Sequence, residues 1–355
     1  MRWDGAQGEI MTLQDDDTPA LAQVTRRAPA AGADAPPATA ALAPHPSAPL
    51  PEVGPPLGAG VRRALGRTGI DVFPLLLGTA GFATLPDPRE ATALLDRYAQ
   101  AGGNAIQVAE AEGDPAPDLV GGWIRGRGLD GELVVSARVS AAVGTANDAD
   151  RILQAVERVI ARLAVSRTDV LVLDLSRSAP GPAALEETLA VSERILQAGL
   201  ARSIGARGLD GPGLIEARVL ASAGYPRIDV VDVAYGLGAR AAFEETVAPI
   251  ALPQKVAAVT SLAVPRGLLE APARARGVRR VVGGRSRLRR ALDATAVEAG
   301  TTAAGVALAW ALAQPGVAAA AVDAVVPRHV DELGVALAVD LTRAQVSRLD
   351  RAAAR

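Results

Sequence analysis

Beyond residue 60, short apolar runs alternate with amphipathic segments of helix length. The runs are LLLGTA (75 to 80), NAIQVA (104 to 109), LVVSARV (133 to 139), DVLVLDL (169 to 175), RSIGA (202 to 206), DVVDVAY (229 to 235), VAAVTSL (256 to 262) and VAAAAV (317 to 322). They are apolar along most of their length rather than every second residue, the pattern of strands buried on both faces. The intervening segments carry the helical period. In PREATALLDRYAQAG, residues Ala91, Leu94, Leu95 and Tyr98 fall on one helix face; in ADRILQAVERVIARLAV, Ile152, Val156, Val159, Ile160 and Leu163 do the same. Gly102 and Gly103 stand where a left-handed cap would end the first helix.

Eight β-α units with fully buried strands predict an α/β fold, a closed parallel (β/α)8 TIM barrel wrapped by helices. An open doubly wound sheet is the rival, but no GxGxxG turn follows the first strand. Ahead of that strand, RRALGRTGIDVFP reads as a β-hairpin around Gly66 to Gly69, placed to plug the bottom of the barrel. Residues 1–58 include a long Ala/Pro-dominated tract that offers little apolar surface to bury, and are expected to form a disordered arm; 59–355 is the barrel.

Composition narrows the function. A net charge of -2 lacks the basic excess that nucleic acid demands, so no nucleic-acid partner is expected. The absence of cysteine removes thiolate chemistry and Cys-ligated metals, and the two histidines, His45 and His329, are too far apart in sequence for a His-pair motif, so no metal site is expected. No uninterrupted apolar run reaches ~20 residues and no secretory h-region opens the chain, which points to a cytoplasmic protein without membrane contact. Oligomeric state is left open.

LGRTG followed by LLLGTAGF, then GGNAIQVAEAEG, RLAVSRTDVLVLD, GLARSIGARG, IDVVDVAYGLGAR, AVTSLAVPRGLL and VVPRHVDELGVAL follow one another in an order and spacing that resembles the aldo-keto reductase family over roughly residues 63 to 352. The resemblance implies a (β/α)8 barrel and NAD(P)H-dependent hydride transfer to a carbonyl, assisted by a tyrosine acid, a lysine, an aspartate and a histidine. This chain departs from that set at every position: Gln107 stands at the aspartate, Glu112 at the tyrosine, Arg138 at the lysine and Asp174 at the histidine. Cofactor positions depart too. Arg207 and Gly208 replace the Ser-Asn that would hold the carboxamide, Asp232 replaces a glutamine, and Val259 the stacking aromatic; Val325, Val326 and Leu333 occupy the phosphate and adenine side.

The inventory agrees. Lys255 precedes the seventh strand and belongs at the barrel's bottom, His329 is on the last barrel helix, Tyr98 on the first helix, and Tyr225 enters the sixth strand from below. Only Tyr235 stands near the mouth. No nicotinamide cofactor is therefore expected. The mouth should instead gather Gln107, Glu112, Arg138 and Asp174 as the tetrad-position set. Phe82, Arg177, Arg207, Asp232 and Tyr235 would line it for a small-molecule ligand.

Two outcomes are open for these charges. Arg138 with Asp174, and Arg207 with Asp232, could close as buried ion pairs in an inert, noncatalytic or scaffolding barrel. Alternatively, Glu112 or Asp174 serves as acid or base with Arg138 as oxyanion partner, in a cofactor-independent isomerase, lyase or cyclase. An NADPH-dependent oxidoreductase with an atypical site is the third reading. RVVGGRSRLRR (280 to 290) is read as a solvated helix start rather than a phosphate seat, and Trp123 as core.

Overall fold

A computed structural model of the chain describes residues 61–354 apart from 86, 142–147, 178–181, 266 and 270–284. The expected disordered arm therefore lies outside the described residues, as does the start of the 280 to 290 segment.

All eight expected strands form. They are β3 (Leu75–Gly78), β4 (Ala105–Ala109), β5 (Val134–Ser140), β6 (Thr168–Asp174), β7 (Ala201–Arg207), β8 (Val230–Val233), β9 (Ala257–Thr260) and β10 (Val317–Asp323). Every neighbouring pair is parallel, and β10 pairs with both β3 and β9, closing the barrel. Before β3, the strands β1 (Arg63–Ala64) and β2 (Asp71–Val72) pair as an antiparallel hairpin. Gly66 and Gly69 take positive φ in its turn, which few residues other than glycine tolerate.

The hairpin plugs the lower end as its sequence implies. Leu65, Ile70 and Val72 form one buried cluster with lumen-facing Leu76, Ala105, Val170, Val172, Val230, Ala257 and Val259. A side chain at Gly66 would meet the Lys255 carbonyl oxygen at 2.5 Å, so the turn sits hard against the chain entering β9.

Helices wrap the outside through the faces their periodicity marked. In α1 (Pro88–Gln100), Ala91, Leu94, Leu95 and Tyr98 are buried, and the Asp87 side chain caps the first turn by accepting from the Arg89 N–H. In α3 (Asp148–Leu163), Ile152, Val156, Val159, Ile160 and Leu163 face the strands. Trp123 of α2 (Ala116–Arg127) is core, as expected, and its indole N–H donates to Asp96 at 2.8 Å. The helices α4 (Pro182–Gln197) and α5 (Gly211–Ser222) follow β6 and β7; a π-helical turn, Ala242–Val247, runs into α6 (Ala248–Gln254) after β8. Two helices, α7 (Arg285–Ala299) and α8 (Ala303–Leu312), precede β10, and α9 (Pro327–Ala336) and α10 (Arg343–Ala353) complete the described barrel.

Candidate functional site

The ladder carries the mouth residues to the upper strand ends and holds their backbone there. Gln107 pairs across from Ser136, Arg138 from Val172, Asp174 from Arg207, and Arg207 from Asp232. Their carbonyls stay engaged: Thr79 N–H donates to Gln107, Glu110 N–H to Arg138, Ala141 N–H to Asp174 and Leu175 N–H to Arg207. Side chains on such strand ends are positioned by a rigid frame rather than by loops.

Asp232 is the hub. Its side chain is fully buried and accepts from three donors: Arg207 Nη1 at 2.8 Å, Arg138 Nη1 at 3.4 Å and Gln107 Nε2 at 3.3 Å. Arg207 continues the cluster to Ser261 Oγ at 3.2 Å and brings its Nε to 3.8 Å from Asp174. Asp174 in turn accepts from the Ser176 N–H and hydroxyl at 3.0 and 2.5 Å. The result is an alternating chain of charge, Arg138, Asp232, Arg207, Asp174, in which each guanidinium is about a quarter exposed.

Of the two ion pairs expected, Arg207 with Asp232 forms and Arg138 with Asp174 does not. Register explains the difference. Asp174 lies level with Ser140, two residues above Arg138, so its neighbour is Arg207; Arg138 spans the lumen to Asp232 instead.

Four other candidates stand apart from this cluster. Glu112 is exposed on a turn three residues beyond the end of β4 and joins none of these contacts. Arg177 is exposed in the turn after β6. Phe82, expected as a pocket wall, is 1% exposed and packs in the strand-helix core from a short 3-10 turn. Tyr235 does not line the mouth: β8 ends at Val233, and the Tyr235 ring lies between Phe243 and Trp310, with its hydroxyl donating to Glu244 at 2.8 Å. Burial and the Glu244 bond push that phenol well above the usual tyrosine range.

Ser176, Ser261 and Asp323 were absent from the expected site. Ser176 follows an aspartate by two residues, the spacing of an Asx turn, and that signal was available. Ser261 lies one residue past β9, and Asp323 ends β10, where a strand-end rule would have marked both. Asp323 accepts from the Ala80 N–H at 3.3 Å, placing a carboxylate at the seam where the barrel closes. Among the described residues no three His, Asp or Glu side chains group as metal ligands, and no helix is long and apolar enough to cross a membrane.

Known proteins agree with this architecture. The thermostable aldo-keto reductase Tm1743, solved with the inhibitor epalrestat, superposes with a TM-score of 0.67 over 82% of this chain and 99% of its own, at 25% identity. An aldo/keto reductase from Klebsiella pneumoniae, solved with NADP and acetate, does so at 0.65, covering 81% and 94% at 22% identity, a likeness of fold. The putative aryl-alcohol dehydrogenase AAD14 of Saccharomyces cerevisiae is 35% identical over 99 residues, 25% of this chain and 26% of that protein's length. The family model described as the aldo/keto reductase family matches residues 74–354, from the first barrel strand to the last helix, and the chain belongs to that family.

Proposed function

We propose that this chain is a noncatalytic member of its family, a binding or scaffolding barrel whose mouth has exchanged the acid-base set and the dinucleotide seat for an internally neutralised polar cluster. The observation that carries this reading is Asp232, a fully buried carboxylate that takes up both rim arginines and Gln107. Arg207, bonded to it at 2.8 Å, has its charge compensated within the cluster, and Arg138 leans on the same carboxylate at 3.4 Å, so neither charge stands uncompensated for a developing oxyanion.

The residue inventory supports it. The chain has three tyrosines, and each hydroxyl is engaged away from the mouth: Tyr98 lies within 2.8 Å of the Leu75 and Ala105 carbonyls, Tyr225 donates to Glu186, and Tyr235 to Glu244. The one lysine, Lys255, is at the opposite end, beside Gly66. His329 is buried in α9. A positioned general acid is worth ~10²- to 10⁴-fold in rate, and no side chain of the usual type stands where the resemblance would put it.

A nicotinamide dinucleotide also fits poorly. At Gly208, where the resemblance places an asparagine, a Cβ would lie 2.6 Å from the Ser176 backbone nitrogen, so the β6 loop occupies that side chain's space. Leu333 is fully buried in the core rather than facing an adenine, and Asp323 sets negative charge at the top of β10. Each lost interaction of ~1.4 kcal/mol lowers affinity tenfold.

Titration with NADPH, followed by tryptophan fluorescence and melting temperature, tests the proposal. No saturable mouth binding is expected; tight binding with hydride transfer to a carbonyl compound would establish the NADPH-dependent oxidoreductase reading instead. One observation favours a second reading, a cofactor-independent isomerase, lyase or cyclase: Glu112 is a carboxylate with no hydrogen bond or ion pair among the described residues. An activity abolished by Glu112→Gln or Asp174→Asn at unchanged stability would support it.

A further inference from the structure

We infer that the lower end of the barrel carries a binding site for a small oligophosphate. A cavity of about 470 Å³ opens there, lined by Arg67, Arg218, Arg227, Pro253, Gln254 and Lys255. Its four cations come from four separate places: the hairpin turn, α5, the approach to β8 and the end of α6. No acid is among the six, although acidic residues outnumber basic ones in the chain, 39 to 37. The positive enclave is thus made by the fold, which brings together residues from 67 to 255.

These cations are weakly committed. The side chains of Arg67 and Lys255 make no hydrogen bond or ion pair among the described residues, and both residues are exposed. Arg218 reaches Ser222 Oγ only at 3.4 Å, and Arg227 reaches the Gln254 carbonyl only at 3.5 Å, both at the long limit for a hydrogen bond. Asp229 is the acid that meets them: its carboxylate lies 4.0 Å from Arg227 Nε, accepts from the Ser203 hydroxyl at 3.5 Å and also feels the charge of Arg67. No carboxylate lines the cavity itself, so its lining is net positive.

Lys255 adds a local anomaly. It ends α6 in the left-handed region, φ 56°, where glycine or asparagine is the usual choice, so a lysine stands among the lining residues at some backbone cost. Guanidiniums bind phosphate oxygens in forked pairs and an ammonium binds them as a point charge, so this lining selects a compact polyanion over a single carboxylate. The volume lies in the range of small-molecule sites. Free oligophosphate and the phosphate tail of a nucleotide share this chemistry.

Calorimetric titration of the purified full chain with inorganic tripolyphosphate, and in parallel with ADP, tests the assignment. Saturable 1:1 binding is expected at about 50 mM salt, weakening as salt rises. Tighter ADP binding would identify a nucleotide, and tighter tripolyphosphate binding the free anion. The double variant Arg67→Glu, Lys255→Glu should bind about tenfold or more weakly while melting as the wild type does; Arg218→Gln, on the exposed face of α5, provides the same comparison should the double variant fold poorly. Absence of saturable binding by the wild type, or equal binding by folded variants, would overturn the proposal. The site is independent of the mouth: Asp232→Asn should leave tripolyphosphate affinity unchanged, and an NADPH response lost in the lower-end variants belongs here rather than to the mouth.

Discussion

Replacing Asp232 by asparagine removes one negative charge from between two guanidiniums while keeping shape and volume. The carboxylate is 0% exposed, with Arg207 at 2.8 Å and Arg138 at 3.4 Å. Unit charges ~4 Å apart interact by about 4 kcal/mol at an effective dielectric near 20. Removing one partner of a buried pair costs about 3–5 kcal/mol, because the remaining charge is left uncompensated. Two features reduce that figure here. The arginines are 25% and 28% exposed, so water takes up part of their charge, and Arg207 keeps Asp174 at 3.8 Å. Asp232→Asn should therefore destabilise the barrel by about 2–4 kcal/mol, a fall in melting temperature of roughly 3–7 °C for a domain of this size. Thermal and urea melts measure it. Replacing Asp232, Arg138, Arg207 and Asp174 together, with two leucines and two methionines, should recover most of the loss, since a buried ionic cluster exchanged whole for apolar side chains is often neutral. A single variant that melts within about 1 °C of wild type would refute the claim that this carboxylate neutralises the mouth.

Two further outcomes are expected. Gly208→Asn restores the residue type that the family resemblance places there, yet its Cβ would lie 2.6 Å from the Ser176 nitrogen and 2.8 Å from its Cα; the variant should lose about 1–3 kcal/mol in denaturant melts without gaining NADPH affinity, and a stable variant that binds NADPH would contradict the fit argument. Glu298 is held down to about 2 by hydrogen bonds from Arg348, then Gln345, against 4.5 for the free group. A carboxylate depressed on folding contributes stability above its unfolded value and loses it as pH falls through the folded one. The difference in melting temperature between wild type and Glu298→Gln should therefore be full at pH 7 and vanish near pH 2; a gap that persists there would remove this pair from the acid response.

Strand and helix positions were readable in the sequence because each depends on a local period. Leu94, Leu95 and Tyr98 are buried in α1 as their spacing requires, and eight runs apolar along most of their length leave few alternatives to a closed parallel barrel. The hairpin followed from Gly66 and Gly69, whose backbone angles are a property of the turn itself. Family membership was also carried by local motifs in order. The mouth was readable only as a set of names. Gln107, Arg138, Asp174, Arg207 and Asp232 do converge at the upper strand ends, because a strand's last residues have nowhere else to go in this fold.

Which of these side chains meet was decided by register and closure. A two-residue offset between β5 and β6 separates Arg138 from Asp174, and curvature of the closed sheet brings Arg138 across the lumen to Asp232. Tyr235 turns outward because β8 stops two residues before it and aromatic neighbours from the π-helical turn and α8 await its ring. The cationic cavity at the lower end had no sequence signature, since its four charges are spread from residue 67 to residue 255. Periodicity is a property of neighbours along the chain and can be read from it; a charge cluster belongs to neighbours in space, which exist only once the barrel has closed.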